Sequence, residues 1–515
     1  MSKLRNSTNR QIAAQCIMPK LETEKYYSDT SYKAEIVSLI QEGIGGFCLF
    51  GGTAEQIYTM INELQNFADI PMIFSADMEY GMPMRFDDGT EFPHAMALAA
   101  TGDKEYTFKT ASAIAEEAKN SGITWNLSPV CDINSNPDNP IINVRSFGEN
   151  AQVVNEHSAE YIKGTQKHKV LACAKHFPGH GDTNKDSHLE LPVLEHSKEK
   201  IERLDLLPFI NAISQGVRSI MAGHLSIPSL DDSKLPATLS RKIITDLLKS
   251  ELGYQGLIIT DALEMKAIKD NYGAEEAVLM SLKAGCDVAL IPDDPFKAIG
   301  YIEKEMDKDE ELKNNLINSG DKLIKHKRWC GLIPQFAAGI PQPKTFMTNQ
   351  KTALKIADAA VNYIGDENIL PLPEDIVISA FAILSREEDM RAGTRFFTML
   401  AQATENDTDF GFVNENIKDE DMESFKDQTA DAQLVIFPVF TNARAYQGTV
   451  DLPEKISKFV SEISKGKKSI ALIFGNPYIA EKLDVDLAIK AYSDSFASLA
   501  AGVVHLTGRR AAVDL

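Results

Sequence analysis

Over residues 1–330 eight short apolar runs alternate with amphipathic stretches, and this alternation constrains the fold more than any other feature of the chain. The runs are IAAQCIMP (12–19), GFCLF (46–50), PMIFSAD (71–77), ITWNLSPVCD (123–132), VLACAKHF (170–177), SIMAGHL (219–225), GLIITDA (256–262) and VALIP (288–292). Each is almost continuously apolar, as a strand covered on both faces must be. The stretches between them, among them 33–42, 54–67, 105–120, 198–215, 240–252 and 274–284, carry apolar residues at helical spacing. Eight such units in series predict a closed parallel barrel with its helices outside, of the (β/α)8 TIM type. A doubly wound open sheet is the competing arrangement.

A chain of 515 residues is too long for one ordinary core. Residues 331–350, GLIPQFAAGIPQPKTFMTNQ, contain three prolines and no strong period, and predict a linker. Beyond it, helices at 351–361 and 454–465 and strands at 376–384, 432–440, 469–477 and 487–493 predict a smaller α/β layered domain over 351–515, an αβα sandwich.

Net charge is 53 − 74 = −21, without a basic cluster, which speaks against nucleic acid or an anionic membrane as partner. No run approaches the ~20 apolar residues of a membrane span, and the basic N-terminal residues lack the apolar stretch of a signal peptide. Six scattered cysteines, at 16, 48, 131, 173, 286 and 330, form no Cys-x-x-Cys pair. Buried free thiols in a reducing compartment, and hence a cytoplasmic enzyme, are the expectation.

Polar and ionisable residues gather where the runs end: Asp77, Asp132, Lys175 with His176, His224 and Asp261. In a parallel barrel those ends share one face, the face that carries active sites. Helix caps alone would account for some of them. Asp261 itself reads equally well as an N-cap before Ala-Leu-Glu-Met or as a functional carboxylate. Trp125, inside the fourth run, reads as core rather than as a sugar-stacking platform.

The densest stretch is AKHFPGHGDTNKDSHLELP (174–192), which holds His176, His180 and His188. Three readings compete. As a metal cage, His176, His180, Asp182, Asp186 and His188 would be ligands, but no second ligand set stands on another strand and Asp261 would have no role. A polar surface turn would not place Lys-His inside an apolar strand end. A proton-handling loop fits best, because a histidine titrates near neutrality. Asp186 stands two residues before His188, close enough to fix its tautomer. His180 then braces the loop, and His224 lines the pocket or satisfies a buried backbone group.

NPDNPIINVRSFGEN (136–150), KHFPGHGDTNKDSH (175–188), PATLS (236–240) and ELGYQGLIITDALEM (251–265), in this order and spacing, resemble the family 3 glycoside hydrolases, in particular the bacterial β-N-acetylglucosaminidase branch. The resemblance covers about residues 10–330 and implies a (β/α)8-type first domain as the catalytic one. It implies Asp261 as the nucleophile, His188 with Asp186 as the acid/base pair, and Lys175, His176, Arg145, Asp77 and Arg85 as sugar-binding residues. One departure is visible: many members read Glu-Gly-Gly-Arg where this chain reads Glu79-Tyr80-Gly81-Met82.

The expectation is a retaining, exo-acting hydrolase, free of cofactor and metal, that releases terminal β-linked N-acetylglucosamine from cell-wall fragments or chitin oligosaccharides. Because a histidine acting as base is neutral where a carboxylate would be negative, a phosphorylase using inorganic phosphate is the alternative. The second domain is expected to wall the site, to mediate homodimer formation or only to stabilise.

Overall fold

The structure is a computed structural model that describes residues 4–183, 185, 190–333, 343–441 and 450–509. It divides into two compact units. The first comprises residues 1–90, 107–136 and 149–346, and the second 91–106, 137–148 and 347–515.

Eight parallel strands form the first unit. They are β1 in two pieces (Ile17–Met18 and Lys20–Glu22), β2 (Gly46–Phe50), β3 (Ile73–Ala76), β4 (Trp125–Asn126), β5 (Leu171–Phe177), β6 (Ser219–Ala222), β7 (Leu257–Thr260) and β8 (Ala289–Leu290). Each pairs with the next from β1 to β7. The ring then closes: Ile259 bridges Val288, and Ala289 and Leu290 pair with Ile17 and Met18. The closing pairs exclude an open sheet and give the (β/α)8 barrel.

The strands β3 to β8 are buried on both faces, which is why those runs are continuously apolar. On β5, Leu171 and Cys173 join the cluster of Trp125, Ile73 and Ile259 inside the ring. Ala172 and Ala174 pack outward under Phe209 and Ile243 of the surrounding helices. Trp125 is core, its indole N–H donating to Ser219 Oγ at 2.7 Å.

Two runs differ from their sequence reading. IAAQ within 12–19 is helical, in Asn9–Gln15, because Thr8 and Gln11 form a capping box that satisfies the helix start. The strand begins only at Ile17. In 123–132 the continuous ladder is limited to Trp125–Asn126, and pairing resumes only as a single bridge from Val130 to Lys175. Pro129 lies between them and offers no N–H to a ladder.

The second unit is a layered α/β sheet. Its strands are β9 (Asn362–Gly365), β10 (Val377–Leu384), β11 (Asp407–Val413), β12 (Leu434–Thr441), β13 (Lys468–Gly475) and β14 (Leu487–Lys490), in the order β9-β14-β13-β12-β10-β11. All neighbours are parallel except β9, which runs antiparallel to β14. Ile378, Ala380 and Ala382 meet Phe396, Leu400 and Val503 on one face. Phe381 and Ile383 meet Phe459 and Ile463 on the other. That is the expected αβα sandwich. The helix Pro343–Ala360 begins inside the stretch read as linker, of which residues 334–342 lie outside the described ones. Among the described residues no helix is long and apolar enough to cross a membrane.

Candidate active site

Because the barrel strands are all parallel, the residues that end β3, β5, β6 and β7 emerge on one face. The first group there is an ion network. Lys175, only 2% exposed, places Nζ 2.7 Å from Asp77 Oδ1 and 2.9 Å from Glu79 Oε1. Arg85 Nη2 donates to the other Asp77 oxygen at 3.1 Å. Burial alone would raise the Asp77 carboxyl; Lys175 and Arg85 outweigh it and hold the group below its ordinary range. Asp77 therefore stays an anion, an acceptor of hydrogen bonds.

The second group surrounds Asp132, which is fully buried in the loop after β4. It accepts the backbone N–H of His176 at 3.2 Å and of His180 at 2.8 Å, and the His176 Nδ1–H at 2.8 Å. Burial opposes its charge, but the His176 contact prevails and its carboxyl lies below the ordinary value. An ionised carboxylate only accepts, so the His176 proton sits on Nδ1 and, in the neutral ring, Nε2 is left as an acceptor. His180 Nδ1 lies 2.7 Å from Thr183 Oγ1, and burial, with His176 beside it, pushes its pKa down to about 4. It is a neutral brace at physiological pH. Among the described residues no group of three or more His, Cys, Asp or Glu could hold a metal ion.

Asp261 follows β7 directly. The next helix starts at Lys266 with Met265 as its N-cap, so Asp261 does not cap a helix. Its Oδ1 accepts the Ala262 N–H at 2.8 Å, and its own N–H donates to Ala222 O at 3.0 Å. His224 supports that turn from β6, with Nε2 3.0 Å from Ala262 O and Nδ1 2.8 Å from Thr238 Oγ1. Asp261 is thus a partly buried residue on a hydrogen-bonded turn.

Arg145 is in the segment 137–148, which belongs to the second unit, where its guanidinium donates to Ile141 O at 2.9 Å. His188 and Asp186 lie outside the described residues. Met82, at the departure from the resemblance, is fully buried beside Ser121 and Gly89. Sequence reasoning did not assign a site role to Glu79. Its spacing two residues after Asp77 was the available signal, and Lys175 joins the two.

The sequence matches the Glycosyl hydrolase family 3 N terminal domain over residues 13–325. The chain belongs to glycosyl hydrolase family 3. Among curated relatives of this family 3 chain, Beta-hexosaminidase A of Pseudoalteromonas piscicida is 34% identical over 393 residues, covering 70% of this chain and 66% of the relative. A Beta-N-acetylglucosaminidase/beta-glucosidase of Cellulomonas fimi is 30% identical over 366 residues, 68% of this chain and 64% of that one. The chain thus spans slightly less than two thirds of either relative. A solved family 3 β-N-acetylglucosaminidase from Paenibacillus sp. str. FPU-7 superposes with a TM-score of 0.83 at 27% identity, covering 97% of this chain and 96% of that one.

Proposed function

We propose that this family 3 chain is a retaining, exo-acting β-N-acetylglucosaminidase that hydrolyses terminal β-linked N-acetylglucosamine from cell-wall fragments or chitin oligosaccharides. The observation that carries the reading is Asp261, which ends β7, caps no helix and has one oxygen held by the Ala262 N–H. The ion network of Asp77, Arg85 and Lys175 stands on the same barrel face. The names of the two curated relatives support the sugar.

Cleavage then proceeds in two displacements. Asp261 attacks the anomeric carbon while His188, oriented by Asp186, protonates the leaving oxygen. In the second step His188 takes a proton from water, and that water releases the sugar from Asp261 with the original configuration. Asp77, Arg85, Lys175, His176 and Arg145 bind the sugar. No resident metal or cofactor takes part, so turnover should survive exhaustive chelation. Six buried free thiols support a reducing, cytoplasmic setting.

Asp261→Asn should abolish nearly all turnover while keeping fold and sugar affinity, and a 2-fluoro sugar with a good leaving group should label Asp261 in peptide mapping. Labelling of another residue, or near-normal turnover of the variant, rejects the assignment. Phosphorolysis is the competing outcome: a glycosyl phosphate as main product in phosphate buffer would replace water by phosphate as the acceptor.

A further inference from the structure

The ladder between β3 and β4 ends where Ala76 faces Asn126. The residues that carry the ion network come just after that point: Asp77 and Glu79 both reach Lys175 from the turn that follows β3. Beyond the end of a ladder the backbone groups need other partners. Asn126 supplies them from the strand side. Its amide accepts the Met78 N–H at 3.1 Å and donates to Met78 O at 3.3 Å, closing on Met78 as a neighbouring peptide would. Tyr161, from the helix Ala151–Lys167, completes the set. Its hydroxyl lies 2.9 Å from Met78 O and 3.0 Å from Glu79 O, sharing one proton between the two carbonyls, and it accepts an Asn126 Nδ2–H at 3.3 Å.

These groups are enclosed. Asn126 and Met78 are fully buried, and Tyr161 is 2% exposed. Burial pushes the Tyr161 phenol up, so it keeps its proton and stays a donor. The other half of the network is fixed on its own: Lys175 N–H donates to Pro129 O at 3.1 Å, and Lys175 O accepts the Cys131 N–H at 2.6 Å. Asp77 and Glu79, side by side on one ammonium, repel each other. Their spacing about Lys175 is therefore set where the turn is pinned.

We propose that Tyr161, with Asn126, is a positioning residue for substrate binding, holding the Met78–Glu79 backbone so that Asp77 and Glu79 stay on Lys175 in the arrangement that receives the sugar. This rests on the sugar-binding role given to Asp77 and Lys175 above. Release of the turn should weaken the grip on the sugar. It should leave Asp261 in place, because that residue is held from β6 through Ala222 and His224. An interaction made equally in ground state and transition state shows in KM and not in kcat.

The test is Tyr161→Phe, which deletes only the hydroxyl, with Tyr254→Phe as a matched control. Tyr254 is also buried, and its hydroxyl also meets two carbonyls, Val217 O at 3.4 Å and Leu257 O at 3.3 Å. Those lie at the N-terminal ends of β6 and β7, the opposite end of the barrel from the ion network. For each protein the inhibition constant of N-acetylglucosamine is measured, with KM and kcat on the 4-nitrophenyl β-glycoside of the same sugar. Weakened hydrogen bonds to charged groups should raise the inhibition constant and KM of Tyr161→Phe about 10- to 100-fold, with kcat kept within about threefold. Asn126→Ala, which frees Met78 from the strand side, should do the same. Tyr254→Phe should keep all three constants within about twofold, whatever stability it loses. Unchanged binding in Tyr161→Phe, a loss carried by kcat alone, an equal loss in Tyr254→Phe, or loss of the native fold in both Tyr161→Phe and Asn126→Ala overturns the proposal. Asp77→Asn, run alongside, separates it from the reading beneath it. If Asp77→Asn binds the sugar normally, the role of Asp77 falls and the proposal with it; if it loses binding while Tyr161→Phe does not, only the positioning role falls.

Discussion

Lys327 sits in the helix Glu310–Trp329, fully buried, with Gln15 Oε1 accepting from its ammonium at 3.1 Å. Burial pushes its pKa down from 10.5 to about 7. The unfolded chain keeps this proton up to about pH 10.5, whereas the folded chain releases it near 7, so unfolding takes up a proton between those values. Stability should rise with pH across that window, and the penalty is fully present below it. Lys327→Met keeps the apolar stem and removes the charge. A gain of about 3–5 kcal/mol at pH 7, less about 1–3 kcal/mol for the Gln15 oxygen left without its donor, predicts a net gain of up to about 4 kcal/mol. The advantage should vanish toward pH 10. Denaturant titrations of both proteins at pH 7 and pH 10 check this, and an equal difference at the two values would contradict it. Single residues of this kind are hidden in sequence: one lysine in a helix ending His-Lys-Arg-Trp looks like solvated surface. Asp77, Lys175, His176 and Asp261 were legible for the opposite reason, since they interrupt or terminate apolar runs where no surface residue is expected.

At the scale of elements, legibility follows burial. The barrel strands and the inner strands of the second sheet write themselves as apolar runs because both faces are covered. The strands that sequence reasoning missed, β9 with NYIG and β11 with DTDFGFV, are sheet edges with mostly exposed or half-exposed residues, and carry no such run. The contacts of His196 with Asp182 and Asp205 escaped for a related reason: the partners lie 14 and 9 positions away in polar sequence, where charged residues are unremarkable. The loop after β5 depends on one glycine. At Gly181 a Cβ would lie 1.7 Å from Ile133 O, in the loop that also carries Asp132. Gly181 O in turn accepts the Asn136 N–H at 3.4 Å, so neither backbone can yield without moving the other. Gly181→Ala should therefore cost about 1–3 kcal/mol of stability and lower kcat more than it changes KM, because the histidine loop is displaced at its root while Asp77 and Lys175 are untouched. A variant with wild-type stability and kcat would show that the two loops part easily.

For the molecule as a whole, the cysteines offer a probe of how the barrel comes apart. All six are buried, and all six belong to the first unit, whereas the second unit contains none. Burial also pushes each thiol up, those of Cys48, Cys173, Cys286 and Cys330 to about 12 and those of Cys16 and Cys131 further. The thiolate is the reactive species, so access and ionisation both oppose reaction in the native state. Excess reductant should leave activity unchanged, and a disulfide reagent should find almost no reactive thiol in native buffer. A thiol becomes available only when its stretch of barrel opens, and the stretches are linked in a ring: Cys16 precedes β1, Cys48 is on β2, Cys131 follows β4, Cys173 is on β5, Cys286 precedes β8 and Cys330 follows the last barrel helix. With every strand paired on both sides, opening one exposes the ladders of two others, which favours a single cooperative transition over local release. In a denaturant series the six thiols should become reactive together, at the midpoint where activity is lost, whatever the cysteine-free second unit does. Thiols that appear in stages, or well before activity falls, would mean that the ring opens at one seam first. The closing pairs of β8 with β1, only two residues long, are where that seam would lie, and the order in which Cys16 and Cys286 are labelled would identify it.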